Sequence, residues 1–388
     1  MAEPGGAELV VPSLLEEARR RTGLFDAGED GFSDTLERYV QSCHATGELN
    51  ETGKQVLPKV LVRHLANRLY LQDHLRRHPQ LATSRAAVSL VITGLPRTGT
   101  TLLHNLLALD PNHRVLRLWE ALHPLPPAAE GRFSRPALLA QARTWLERLY
   151  ELAPAFRLIH EARPEGPEEC DALFQNDFAS QHLEDMVEVE AYSRWLDRAR
   201  LRREYASFSR QLAVLTRPGD GSWVLKSPSH LGHLDDLVEA FPHALVVHCH
   251  RHPVPAIASH ASLVATVRQP YTDRMVPAAI GRHVLRRGEA SMSRALQVRT
   301  AMAPGAVVDI AYAELRRQPL AVVATLYDRL GRTLEQATTN AMRGWLADNP
   351  QHKHGPHRYE LANFGLDTAT VEKSFASYMA HFGWAIGE

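Results

Sequence analysis

Near residue 90 the chain passes from a short β-branched run, Ala87-Val88-Ser89-Leu90-Val91-Ile92, through a glycine-bounded loop into an apolar-periodic segment carrying Leu102, Leu103, Leu106 and Leu107. The loop reads Gly94-Leu95-Pro96-Arg97-Thr98-Gly99-Thr100-Thr101. Glycines permit a sharp turn after a buried strand, and two hydroxyl residues stand where the helix opens. Backbone N–H groups and a helix N-terminus then point at one place, the arrangement that cradles a phosphate. A strand that feeds a helix in this way belongs to α/β folds, whose ligands sit at the C-terminal edge of a parallel sheet.

The rest of the chain agrees with that expectation. Strand-like runs return at Trp223-Val224-Leu225-Lys226, Ala244-Leu245-Val246-Val247-His248 and Ala306-Val307-Val308-Asp309-Ile310, with helical patterns between them. The fold class expected is α/β, a P-loop-like three-layer sandwich with a central parallel sheet. From Pro12 to about Ala82 the apolar positions recur helically, so residues 1–86 read as an N-terminal helical extension and 87–388 as the α/β domain. The stretch from about 112 to 215, rich in Pro, Arg and aromatic residues, reads as a helical insertion with one helix over Pro136 to Leu152. Gln351 to Leu366 reads as a loop ahead of a last helix.

Composition narrows the function. With 44 basic and 44 acidic residues the formal charge is zero, which gives no overall attraction to nucleic acid or to an anionic membrane. The three cysteines, Cys43, Cys170 and Cys249, are far apart, odd in number and without CxxC spacing, which argues against a disulfide framework. Neither a leader pattern nor an apolar run of spanning length is visible, so a cytoplasmic protein with no integral membrane segment is expected. His248, His250 and His252 alternate onto one face of a strand and its end but lack the remaining ligands of a zinc site, and no metal is expected.

In loops that bind nucleoside triphosphates, a lysine follows the second glycine and reaches the β- and γ-phosphates. Thr100 occupies that position here, and the cation stands inside the loop at Arg97. A P-loop kinase or NTPase therefore remains the alternative reading. Pro96-Arg97-Thr98-Gly99-Thr100-Thr101 resembles the 5′-phosphosulfate loop of the sulfotransferase family that uses 3′-phosphoadenosine-5′-phosphosulfate (PAPS). The resemblance implies PAPS as co-substrate, adenosine 3′,5′-bisphosphate (PAP) as product, and a second set of groups for the 3′-phosphate. Arg251, in His250-Arg251-His252-Pro253, and Ser259 on the following helix match the family's Arg and Ser for that phosphate. Lys353, Gly355 and Arg358 fall where the family places a basic segment over it, and Tyr312 where the family contacts the adenine.

The same resemblance implies a catalytic role for Lys226, in Leu225-Lys226-Ser227-Pro228-Ser229-His230, beside the transferred group. The acceptor also requires a base. Where the cytosolic branch has a histidine two residues after this lysine, Pro228 stands, and His230 is the nearby substitute. The tyrosylprotein branch uses a glutamate about twenty residues after its loop arginine, which points to Glu120. A third candidate is the acidic cluster Glu168, Glu169 and Asp171. The N-terminal segment and the insertion are expected to wall the pocket for an acceptor, whether a small molecule, a lipid or a sugar.

Overall fold

Three helices precede the sheet: α1 (Val11–Thr22), α2 (Phe32–Thr46) and α3 (Glu51–Arg77). The computed structural model describes residues 7–28, 31–159, 162–350 and 360–387. Gly23, at φ +72°, ends α1 with its N–H on the Arg19 carbonyl, a left-handed cap that glycine takes without steric cost. The Asn50 side chain opens α3 by accepting from the Gly53 N–H at 2.8 Å. Along α3, Leu57, Leu61, Leu65 and Leu69 recur at the four-residue spacing that puts them on one face, and all are fully buried. The helical expectation for this region thus resolves into three helices.

Five parallel strands follow: β1 (Val88–Gly94), β2 (His113–Arg114), β3 (Ser222–Lys226), β4 (Leu245–His250) and β5 (Val307–Ala311). Their order is β2-β3-β1-β4-β5, so the phosphate-loop strand is central. Only the edge strand β2 is absent from the sequence expectation; at two residues it is too short to show a period. Helix α4 (Thr100–Leu107) leaves the tip of β1.

Successive residues of a strand point to opposite faces, and both faces are covered. Leu90, Ile92, Val224, Val247 and Ile310 share a buried cluster with Leu103, Leu106 and Leu107 of α4 and with Val323 and Leu326 of the helix Pro319–Arg329. Val91, Leu225 and Val246 join a second cluster containing Phe208, Ile257 and Val284 from three long helices, together with Leu36, Leu57 and Leu61 of α2 and α3. The result is the expected three-layer α/β arrangement, with the N-terminal helices sharing the core on one side of the sheet. The expected helix near 136 runs Arg135–Leu152. Residues 351–359 of the expected C-terminal loop lie outside the described residues, and two helices, Thr368–Ser374 and Ala376–Ile386, end the chain.

Candidate active site

The loop between β1 and α4 is tight because two of its positions admit no side chain. A Cβ on Gly94, at φ +148°, would lie 2.4 Å from the Cys249 carbonyl oxygen, and one on Gly99, at φ +90°, would meet the Tyr312 ring at 3.0 Å. Arg97 takes φ +72° although it bears a side chain. That conformation is costly for a residue other than glycine and persists where neighbours fix it. Here Arg251 Nη1 donates to the Arg97 carbonyl at 2.9 Å, and Arg97 Nε donates to Ser259 Oγ at 3.1 Å. The Thr98 hydroxyl donates back to the Leu95 carbonyl at 2.7 Å, which consumes it inside the turn. Gly99 caps α4 with no side-chain cap bond, so the first amides of that helix have no intrahelical partner.

Arg251 also lies over the Tyr312 ring, its guanidinium carbon 4.5 Å from the centroid, and Arg316 approaches the same ring at 5.7 Å. Four residues from separate parts of the sequence, Arg97, Arg251, Ser259 and Tyr312, therefore meet at one side of the loop. Arg316 was not anticipated; its only signal is its place four residues after Tyr312 at the start of a helix. Behind them, Tyr378 donates to the Arg251 carbonyl at 3.3 Å and pairs with His250 Nδ1 at 3.2 Å, which fixes the end of β4. Lys353, Gly355 and Arg358 lie outside the described residues.

On the other side of the loop stands Lys226, at the tip of β3 and 2% exposed. Its ammonium donates to Glu169 Oε1 at 2.5 Å and to Thr101 Oγ1 at 3.4 Å. Glu169 reaches it because the insertion runs along the strand ends: Glu168 N–H donates to the Leu116 carbonyl at 2.8 Å and Cys170 N–H to the Lys226 carbonyl at 2.9 Å. The second Glu169 oxygen lies 3.5 Å from His182 Nε2, and His182 Nδ1 lies 3.5 Å from Asp171 Oδ2. Burial opposes ionisation of Glu169, yet Lys226 and then His182 more than offset it and hold the carboxyl well below its usual range. Burial likewise opposes charge on His182, but Asp171 and Glu169 raise it to about 10. The result is a hydrogen-bonded row, Lys226, Glu169, His182, Asp171, along one wall. His182 was missed in the sequence, where one histidine among 21 carries no signal.

Two base candidates are displaced by the geometry. Glu120 has both oxygens occupied, one by the Arg117 N–H at 3.1 Å as a helix cap and one by Arg114 Nη2 at 2.5 Å. Arg114 in turn lies 4.5 Å from the centre of the Trp223 ring, three residues back along β3 from Lys226 and so about 10 Å toward its start. The carboxylate thus belongs to the framework. His230 is fully buried among Phe174, Tyr205 and Phe208, with Nδ1 on the Tyr205 hydroxyl at 2.8 Å. Burial pushes it down to about 3, and it is a neutral core residue.

The histidines of β4 meet an acidic residue that the sequence reading did not pair with them. His248, His250 and Asp309 do bring ligand atoms within 4.8 Å of one another. Arg299 supplies the cation there, donating to Asp309 at 2.6 and 2.8 Å and to His248 Nδ1 at 2.9 Å. His252 turns away to cap the helix Pro253–Arg268, accepting from the Val254 N–H at 3.3 Å.

The fold has counterparts among solved structures. Sulfotransferase STF1 from Mycobacterium tuberculosis H37Rv is 28% identical, with a TM-score of 0.84 over 95% of this chain and 98% of its own. Sulfotransferase STF9 from Mycobacterium avium is 26% identical, with a TM-score of 0.88 over 98% of each chain. A search of curated proteins gives no match. The sequence profile of the Sulfotransferase family matches residues 89–336, which takes in the loop, Lys226, Arg251, Ser259 and Tyr312 alike. A five-stranded parallel sheet, a phosphate loop with its cation at Arg97 and a profile match over more than half the chain agree: the protein belongs to the sulfotransferase family.

Proposed function

We propose that the protein transfers a sulfuryl group from PAPS to an acceptor hydroxyl and releases PAP. One observation carries this reading. Arg97, Arg251 and Ser259 gather at one side of the loop and Lys226 with Glu169 at the other, giving two anion-binding places and a carboxylate around one strand tip. A donor with a 3′-phosphate and a 5′-phosphosulfate requires both places, whereas a nucleoside triphosphate requires the loop lysine that Thr100 replaces. Arg251 and Ser259 hold the 3′-phosphate, Tyr312 meets the adenine, and the loop amides of Pro96 to Thr101 take the 5′ side. Lys353 and Arg358 belong to the same proposal as closing cations.

Sulfuryl transfer follows the logic of phosphoryl transfer: an in-line displacement in which positioning and charge stabilisation do most of the work. The acceptor oxygen forms a bond to sulfur as the bond from sulfur to the 5′-phosphate oxygen breaks, and that oxygen leaves with the electron pair. Arg97 and Lys226 stabilise the charge on the transferred group and the leaving oxygen. The acceptor proton passes to Glu169, which takes the place sought for Glu120 or His230. A carboxylate pinned to an ammonium is a weak base. When Lys226 turns to the sulfonate, Glu169 loses its strongest stabilising partner, and its basicity rises at the moment it is needed. A cytoplasmic location and a small-molecule, lipid or sugar acceptor complete the reading.

The test is turnover. Incubation with PAPS and a panel of hydroxyl compounds is expected to yield PAP in proportion to a sulfated product, followed by chromatography, with no ADP formed from magnesium ATP. ADP formation in place of PAP would move the kinase alternative to the front.

A further inference from the structure

Arg63, on α3, is a half-buried guanidinium that meets no carboxylate among the described residues. Its Nε is inaccessible to solvent and has no hydrogen-bond partner. Its contacts are neutral: Nη2 donates to His64 Nε2 at 3.1 Å, and the Trp145 ring lies 5.8 Å from its guanidinium carbon. His64 donates its one ring N–H, at Nδ1, to Asn176 Oδ1 at 2.9 Å, and burial followed by Arg63 pushes its pKa down to about 3, so it brings no charge of its own. Burial also draws Arg63 down to about 10, with the Tyr271 phenol the one opposing influence. The fully buried arginines Arg68, Arg268 and Arg287 each meet a carboxylate, Asp177, Glu188 and Glu184 respectively. A guanidinium partly withdrawn from water without a counter-charge loses hydration that an anionic ligand would replace.

The position of Arg63 says which ligand. Asn176, the partner of His64, directly follows Gln175, and the Gln175 amide lies 3.2 Å from His182 Nδ1. From His182 the row continues to Glu169 and Lys226. Arg63 is therefore linked through neighbouring contacts to the row that ends at Lys226. Its neighbour Trp145, from the insertion, offers a ring face, and Tyr271, from the turn after the helix Pro253–Arg268, brings a phenol.

We propose that Arg63 anchors an acceptor subsite and that the acceptor is a hydroxyl compound carrying a second, oxyanionic group. The guanidinium fork binds that anion while the hydroxyl is presented to Glu169. This rests on the sulfotransferase reading and names the acceptor class within it. Ring faces beside the fork favour an aromatic or extended apolar spacer between the two groups.

The experiment uses protein saturated with PAP and a calorimetric comparison of four hydroxy acids with their amides: para-hydroxybenzoate, para-hydroxyphenylacetate, para-hydroxyphenylpropionate and ω-hydroxyhexanoate. At least one acid is expected to bind about ten-fold or more tightly than its amide, the scale of one charged hydrogen bond. Arg63→Met is expected to abolish that preference and Arg63→Lys to keep part of it, with PAP affinity unchanged in both as the check on folding. No acid exceeding its amide, or a preference that survives Arg63→Met, overturns the proposal. Failure of the wild type to bind PAP would instead strike the donor reading, so the two failures are separable.

Discussion

Replacing Glu169 by Gln is expected to lower kcat by about a hundred- to ten-thousand-fold, the range a positioned base contributes, while PAP affinity stays within about two-fold. The substitution keeps the shape of the side chain and its contact with Lys226 at Oε1, but removes the charge that accepts the acceptor proton. The pH dependence gives the sign. Glu169 acts as a base only when deprotonated, and with its pKa held well below 4.5 in the free protein, the acid limb of kcat/KM from this group lies below the ordinary carboxylate range. Activity therefore rises with pH only at acid values and is flat through neutrality. The stability contribution has the same direction: it is full above the unfolded carboxylate value and fades as pH falls through the depressed one. His182 runs the other way, its contribution full below its unfolded value of 6.5 and lost as pH rises toward about 10. The matching substitutions Glu120→Gln and His230→Gln are expected to leave kcat/KM per folded molecule near wild type and to act on stability, because those groups are spent on Arg114 and Tyr205. Unchanged kcat in Glu169→Gln would remove it as the base.

Lys226→Met is expected to cost about a hundred- to a thousand-fold in kcat, the magnitude seen when one preorganised donor to developing charge is removed. The discriminating feature is the split between ligands. PAP lacks the sulfonate that Lys226 serves, so its affinity changes little, whereas PAPS turnover collapses. Methionine fills the volume of the buried alkyl chain, which limits the cavity cost. The substitution also releases Glu169 from its ammonium, so the carboxyl is expected to move up toward its usual range and any residual activity to gain an acid limb at higher pH. A loss of PAP affinity as large as the loss in kcat would make Lys226 a nucleotide-binding residue instead.

How much of this was legible beforehand depends on how local each signal is. The loop was, because strand, glycines and helix are adjacent in sequence, and four of the five strands were, because each is a short apolar run at its own place. Arg97, Arg251, Ser259 and Tyr312 could be named from the resemblance to the family, and their meeting point follows from parallel strands that all end on one edge. The partner of Lys226 was not legible. Glu169 precedes it by 57 residues and arrives through two backbone hydrogen bonds of an irregular segment, which leave no period in the sequence. Glu120 misled because distance along the chain says nothing about which end of a strand a side chain reaches. His230 misled because a histidine close to Lys226 in sequence can still point into an aromatic core. Arg63 left no trace, since an arginine on an amphipathic helix reads as a solvated residue until its missing counter-charge is seen.

The account turns on a two-phosphate donor site held by Arg251, and calorimetric titration with PAP tests it most directly, with AMP and magnesium ATP as controls, on the wild type and on Arg251→Ala. The account predicts PAP binding at least about ten-fold tighter than AMP or ATP, and loss of that advantage in Arg251→Ala, since one charged hydrogen-bonding partner of the 3′-phosphate is gone. ATP binding as tight as PAP, or PAP affinity unmoved by Arg251→Ala, would contradict it.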